Sequence, residues 1–146
     1  MKLALPERGS VIRYAYLWAK EHRRGREEGR KDRPVLVLAL SIVTHDATVE
    51  VLVLPMTHTP PAASSDAVAI PPEVKRSLRL DDERAWIVTT EGNAFVWPGP
   101  DIRPVPGSRP PNVTYGKVPD GLLQKIARSF LANRERQQTH LVQRTT

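Results

Sequence analysis

A mainly β fold with helical decoration is predicted by three features of this 146-residue chain. Short apolar runs rich in Val and Leu recur, each bounded by Pro or polar residues and each too short for a buried helix. Fourteen prolines stand against two phenylalanines, which favours short strands and turns over a helical bundle. Only near the C-terminus does a longer apolar stripe keep helical spacing. Five or six short strands with two helices make a small curled sheet or barrel. The length implies one domain, spanning residues 1–133, followed by a polar, aperiodic tail over 134–146 that is expected to be flexible.

The elements follow in order. Residues 9–18 hold β-formers in partial alternation and read as the first strand. Residues 19–32 are charged, contain Gly25 and Gly29, and have no apolar face, so they read as a long loop. Arg33 to Leu40 and Val49 to His58 are the two clearest strands. The turn-like Thr44-His45-Asp46-Ala47 between them makes the pair an antiparallel hairpin with a long loop. Val68 to Pro71 is a short strand, and Pro72 to Leu80 a short helix with Val74 and Leu78 on one face. Asp81 to Arg84 is a turn. Ala85 to Glu91 is a strand, Gly92-Asn93 a turn, and Ala94 to Trp97 the next strand. Tyr115 to Pro119 is a connector. Asp120 is a suitable N-cap for a helix over 121–131, whose stripe is Leu122, Leu123, Ile126, Ala127, Phe130 and Leu131, with Asn133 at its end.

Composition narrows the chemistry. Without cysteine there is no disulfide, thiol nucleophile or Cys-based zinc site. His22, His45, His58 and His140 are scattered, with no metal-binding motif, so neither a metal nor another cofactor is expected. No apolar run suits a signal peptide or membrane span, and a cytoplasmic location is expected. The formal net charge is +6, and it clusters. Lys20 to Arg33 carries seven basic and four acidic residues, a net +3, and Lys117 to Thr146 six and two, a net +4. Such clustering suits a polyanion, most simply nucleic acid, although an acidic protein would also match it.

The central hairpin concentrates the polar chemistry. Arg33 opens one strand and Thr57 closes the other, and antiparallel pairing sets a strand's start beside its partner's end. A guanidinium and a hydroxyl at one sheet edge suit an anion such as phosphate. The plain alternatives are a strand-edge Arg paired with Asp32 or Glu28, and a Thr satisfying a turn.

The Arg33-Pro34-Val35-Leu36-Val37-Leu38 run, Leu54-Pro55-Met56-Thr57 some twenty residues later, the opening Gly9-Ser10-Val11-Ile12 and the Gly25, Glu28, Gly29 loop together resemble the PemK/MazF family of toxin endoribonucleases. The resemblance spans residues 6–131. It implies an SH3-like small barrel with a C-terminal helix, usually a homodimer, that belongs to a bacterial type II toxin–antitoxin pair and cleaves single-stranded RNA without a metal. It implies a cognate antitoxin as partner. Arg33 matches the family's catalytic arginine, Thr57 its threonine, and Glu28 a glutamate that acts as or orients a general base. His58 is a further proton-shuttle candidate, with His22 a weaker one, although adjacent strand residues point to opposite faces. The 2′-hydroxyl is the nucleophile, so no protein nucleophile is required.

Arg23, Arg24, Arg26, Arg30 and Lys31 are the expected contacts to flanking RNA phosphates. Trp97, with Trp18 and Tyr16, supplies stacking surfaces and Asn93 an amide for base recognition. Trp86, in mid-strand, reads as core. Thr90 to Pro100 departs from the common family pattern. Two other readings stand beside the enzyme: a non-catalytic small basic barrel that binds nucleic acid or an acidic protein, and a degenerate toxin.

Overall fold

The computed structural model describes residues 3–25, 31–43 and 45–144. Its strands are β1 (Ser10–Ala15), β2 (Asp32–Val43), β3 (Thr48–Thr57), β4 (Ala67–Ala69), β5 (Trp86–Val88), β6 (Glu91–Val96), β7 (Thr114–Lys117) and β8 (His140–Gln143). Its helices are α1 (Ala19–Arg23), α2 (Pro72–Ser77) and α3 (Asp120–Glu135). The fold is mainly β with α decoration, as predicted. The ladder runs β4–β5–β3–β2–β1–β7, with β6 on β3 and β8 beyond β6, and does not close on itself.

The hairpin β2–β3 is the centre of the sheet. β2 is longer and the loop shorter than expected, because Ser41 pairs with Glu50 and Ile42 with Val49. A register shift between Val37 and Ala39 inserts one extra residue into β2, and such bulges increase local twist. β3 has β2 along one edge. Along the other it pairs with β6 at Glu50 to Val53, then with β5 at Met56 and Thr57. Every pairing is antiparallel except β6–β8.

The two-residue period of the strands builds two cores. Leu36, Leu38, Leu54 and Met56 face one way, onto Val74 and Leu78 of α2 and Leu123, Ile126 and Phe130 of α3. Val35, Val37, Val51 and Val53 face the other, onto Ile12, Tyr14, Tyr16 and Phe95. There Tyr14 stacks on Phe95 with centroids 4.7 Å apart.

Several expectations are corrected. The segment expected to be a flexible tail forms the end of α3 and then β8, with Val142 buried beside Leu17 and Ala19. Two apolar residues, Leu141 and Val142, in a polar segment set no period of their own, and β8 is held by β6. β1 stops at Ala15, and the long charged loop begins as helix α1. Tyr115 lies in strand β7, paired with β1, and not in a plain connector. The turn expected at Gly92-Asn93 falls at Thr89-Thr90, and Gly92 and Asn93 lie inside β6. Gly92 is needed there for close approach: a Cβ would meet the Val53 carbonyl oxygen at 3.0 Å. Pro119, not Asp120, occupies the N-cap of α3. Asn133 is not a cap but a buried clasp within the helix, donating to the Ser65 carbonyl at 3.0 Å and the Thr89 carbonyl at 3.1 Å. Among the described residues no helix is long and apolar enough to cross a membrane.

Candidate active site

The register of the hairpin decides what stands at its open end. Val35 pairs with Pro55, so continuing by two residues sets Arg33 opposite Thr57. Both lie on the face of Val35, Val37, Val51 and Val53. The strand ends at Thr57 and the chain bends at His58, which frees His58 from strict alternation. At the strand ends, where residues of both sheet faces meet, Arg33, Thr57 and His58 line one cavity of about 280 Å³, walled also by Lys31, Asp32, Pro34, Met56, Lys75, Leu80 and Asp81.

Within it each head group has a local setting. The Arg33 guanidinium carbon lies 4.9 Å over the Trp18 ring, a cation–π arrangement that fixes its plane. Burial pushes the Arg33 pKa down, while Glu21, Tyr16 and Glu91 oppose that shift. Its Nε–H is buried without an acceptor among the described residues. The expected partner Asp32 instead faces Arg13 at 3.9 Å and Arg103 at 3.6 Å. The Thr59 amide donates to the Thr57 hydroxyl oxygen at 3.1 Å, the turn-satisfying role. The Thr57 hydroxyl can still donate a proton of its own.

Behind Arg33 lies a partly buried acid that the sequence reading missed. Glu91 Oε1 accepts the Tyr16 hydroxyl and the Ala19 amide, each at 2.9 Å. Burial raises the Glu91 pKa against those hydrogen bonds and the nearby charges of His140 and Arg23. Burial, with the charge of Glu91, also pushes Tyr16 well above its ordinary value. Glu91 was hidden because the residues around it read as the end of a strand before a turn.

On the α2 side, His58 Nε2 lies 3.1 Å from Asp81 Oδ2 and 3.5 Å from Glu83 Oε2. Lys75, buried on α2, donates to Asp81 Oδ1 at 2.5 Å and to the Glu83 carbonyl at 2.7 Å. Burial pushes Asp81 up, but the Lys75 hydrogen bond, the Glu83 amide and the charges of Lys75 and His58 outweigh it and hold the carboxyl below its ordinary value. His58, Asp81 and Glu83 bring ligand atoms within 4.8 Å of one another. Lys75 already supplies the counter-charge there, so the cluster is an ion-paired network.

The other expected residues divide. Lys31 lines the cavity, and Arg23 and Arg24 are exposed on and after α1. Glu28, Arg26 and Arg30 lie outside the described residues. Asn93 is wholly buried. Its Oδ1 accepts the Leu17 amide at 2.9 Å and its Nδ2 donates to the Leu17 carbonyl at 2.8 Å, so its amide is spent on main chain and faces no base. Tyr16 is likewise buried, and Trp86 is buried as expected. Trp97 follows β6, its amide bonded to the Val49 carbonyl at 2.9 Å, at the far end of β3 from Thr57. It lines a different cavity, with Ile12 and Asn112 to Thr114. No protein-family model matches this sequence, and no curated protein matches it.

Proposed function

We propose that the chain is a metal-independent endoribonuclease that cleaves single-stranded RNA through attack of the 2′-hydroxyl on the scissile phosphate. One observation carries the reading: the hairpin gathers Arg33, Thr57 and His58 at one cavity, and among the described residues the Arg33 Nε–H has no acceptor. A phosphate oxygen satisfies that donor, and the guanidinium stabilises the charge that develops on phosphorus. Thr57 donates to a second oxygen. As the 2′-oxygen bonds to phosphorus, the bond to the 5′-oxygen breaks. One proton leaves the 2′-hydroxyl and one reaches the leaving oxygen.

The resemblance extends the proposal to a toxin of a bacterial toxin–antitoxin pair that acts in the cytoplasm. It would work as a homodimer on the SH3-like barrel plan, here opened between its edges, with an antitoxin that blocks the cavity. The exposed Arg23, Arg24 and Lys31 would hold flanking phosphates, with Arg26 and Arg30 continuing the same basic segment.

A second reading, a non-catalytic basic module, is favoured by one feature. Arg33 is already stacked on Trp18 and faced by Glu21 and Glu91. Labelled single-stranded RNA, incubated in chelator with wild type or Arg33→Ala, separates the two. Expected are 2′,3′-cyclic phosphate ends from wild type and a rate lower by about 10²–10³-fold in the variant, the scale of losing one transition-state donor. Intact RNA with the wild type, while a control ribonuclease cuts, would overturn the enzyme reading. Equal cleavage by both proteins would remove Arg33 from the chemistry.

A further inference from the structure

We infer that His58 is the general base of the Arg33 cavity and that Asp81, anchored by Lys75, is the residue that positions it. The inference rests on the ribonuclease reading and names the proton carrier that this reading leaves open.

The chain of support starts in the core. Val74 and Leu78 seat α2 against the sheet, and Lys75 between them is only 4% exposed. Its ammonium holds Asp81 Oδ1, which also accepts the Glu83 amide at 3.1 Å. His58 Nε2 lies against both oxygens of this carboxylate, hydrogen-bonded to Oδ1 at 3.2 Å and 3.1 Å from Oδ2. A carboxylate can only accept, so Nε2 carries a hydrogen and Nδ1 is the nitrogen left to take a proton. The charges around His58 are Asp81 and Glu83 after α2, Lys75 on α2, and Lys31, Asp32 and Arg33 of the facing β2 side of the cavity.

In the reaction Nδ1 takes the 2′-hydroxyl proton as the new P–O bond forms. Asp81 stabilises the resulting imidazolium, water protonates the departing 5′-oxygen, and the imidazolium returns its proton to solvent. A carboxylate fixing the tautomer of a base also operates in serine protease triads, where it is buried; Asp81 is 49% exposed and is held in place by Lys75.

The geometry makes Asp81→Asn diagnostic. Lys75 and the Glu83 amide both donate to Oδ1, so the substituted amide keeps its oxygen there. Its NH₂ then takes the place of Oδ2, 3.1 Å from His58 Nε2, and competes there with the retained oxygen at 3.2 Å. A donor at that place opposes the Nε2–H, so the proton shifts toward Nδ1 and the base is blocked to that extent. The test is long-range ¹H–¹⁵N NMR of the His58 ring in the full-length protein at high pH, beside RNA cleavage kinetics. Expected are an Nε2–H ring in wild type, a tautomer population shifted toward Nδ1–H in Asp81→Asn, and cleavage lower by about 10²–10⁴-fold, the upper end being the loss when a triad carboxylate is made an amide.

His58→Gln provides the arm that does not depend on folding, because His58 is exposed. It is expected to lose cleavage by at least about 10²-fold. An unchanged tautomer in Asp81→Asn, or wild-type cleavage by either variant, overturns the inference and leaves the ribonuclease reading standing. Absence of cleavage by wild type itself overturns that reading and His58's role, while the ring tautomer still reports whether Asp81 holds the imidazole.

Discussion

Removing the Arg144 side chain is expected to cost more stability than any other single change at the C-terminal end. Arg144 follows β8. Its Nη2 lies 2.8 Å from Asp101 Oδ2, and Nη1 donates to the Ala15 carbonyl at 2.8 Å and to Asn93 Oδ1 at 3.1 Å. Its guanidinium also lies 5.4 Å from the Tyr14 ring centroid. The two charged side chains are 2% and 12% exposed. Arg144→Ala leaves the Asp101 carboxylate nearly dry and without its cation. Breaking a buried pair on one side costs about 3–5 kcal/mol. At roughly 2–4 °C per kcal/mol for a domain near this size, Tm should fall by about 6–20 °C. Urea denaturation and calorimetry of the variant beside wild type measure this. The double variant Arg144→Met with Asp101→Leu should recover much of the loss, because no charge is then stranded. A loss below about 1 kcal/mol, or a double variant no more stable than the single one, would refute the reasoning.

Two other outcomes follow from the sheet. Glu91 has a raised pKa in the folded state, so the fold binds its proton more tightly than the unfolded chain does. Its contribution is therefore most favourable below the ordinary value of 4.5 and declines as pH rises from there through the raised folded value. Glu91→Gln should flatten that decline in denaturation midpoints measured across pH 4–7, and an unchanged slope would contradict the assignment. Gly92→Ala should destabilise by about 1–3 kcal/mol, because its Cβ would press on the Val53 carbonyl and Leu52 at 3.0 Å each. A stability within about 0.5 kcal/mol of wild type in urea melts would show that β3 and β6 can part at low cost.

The central hairpin was legible because its signal is local. Val and Leu runs, Pro34 and Pro55, and antiparallel geometry together place Arg33 across from Thr57 without coordinates. Helices α2 and α3 were legible for the same reason, through Val74 and Leu78 and through Leu123, Ile126 and Phe130. What failed were segments whose partners lie far along the chain. β8 carries only two apolar residues, Leu141 and Val142, in a polar segment, and becomes a strand because β6 offers an edge. Gly92-Asn93 is a turn signal by composition, but Gly92 admits β3 closely and Asn93 satisfies the Leu17 main chain.

By itself the sequence determined the mainly β class, the hairpin and the residues at its open end, since each depends on periodicity or on neighbours in the chain. Only the tertiary structure decided that α2 brings Lys75 and Asp81 to His58, that Trp18 and Glu91 frame Arg33, and that Asn93 and Trp97 stand apart from the cavity. Those placements depend on register and side-chain hydrogen bonds across tens of residues, and a periodic pattern carries no record of either.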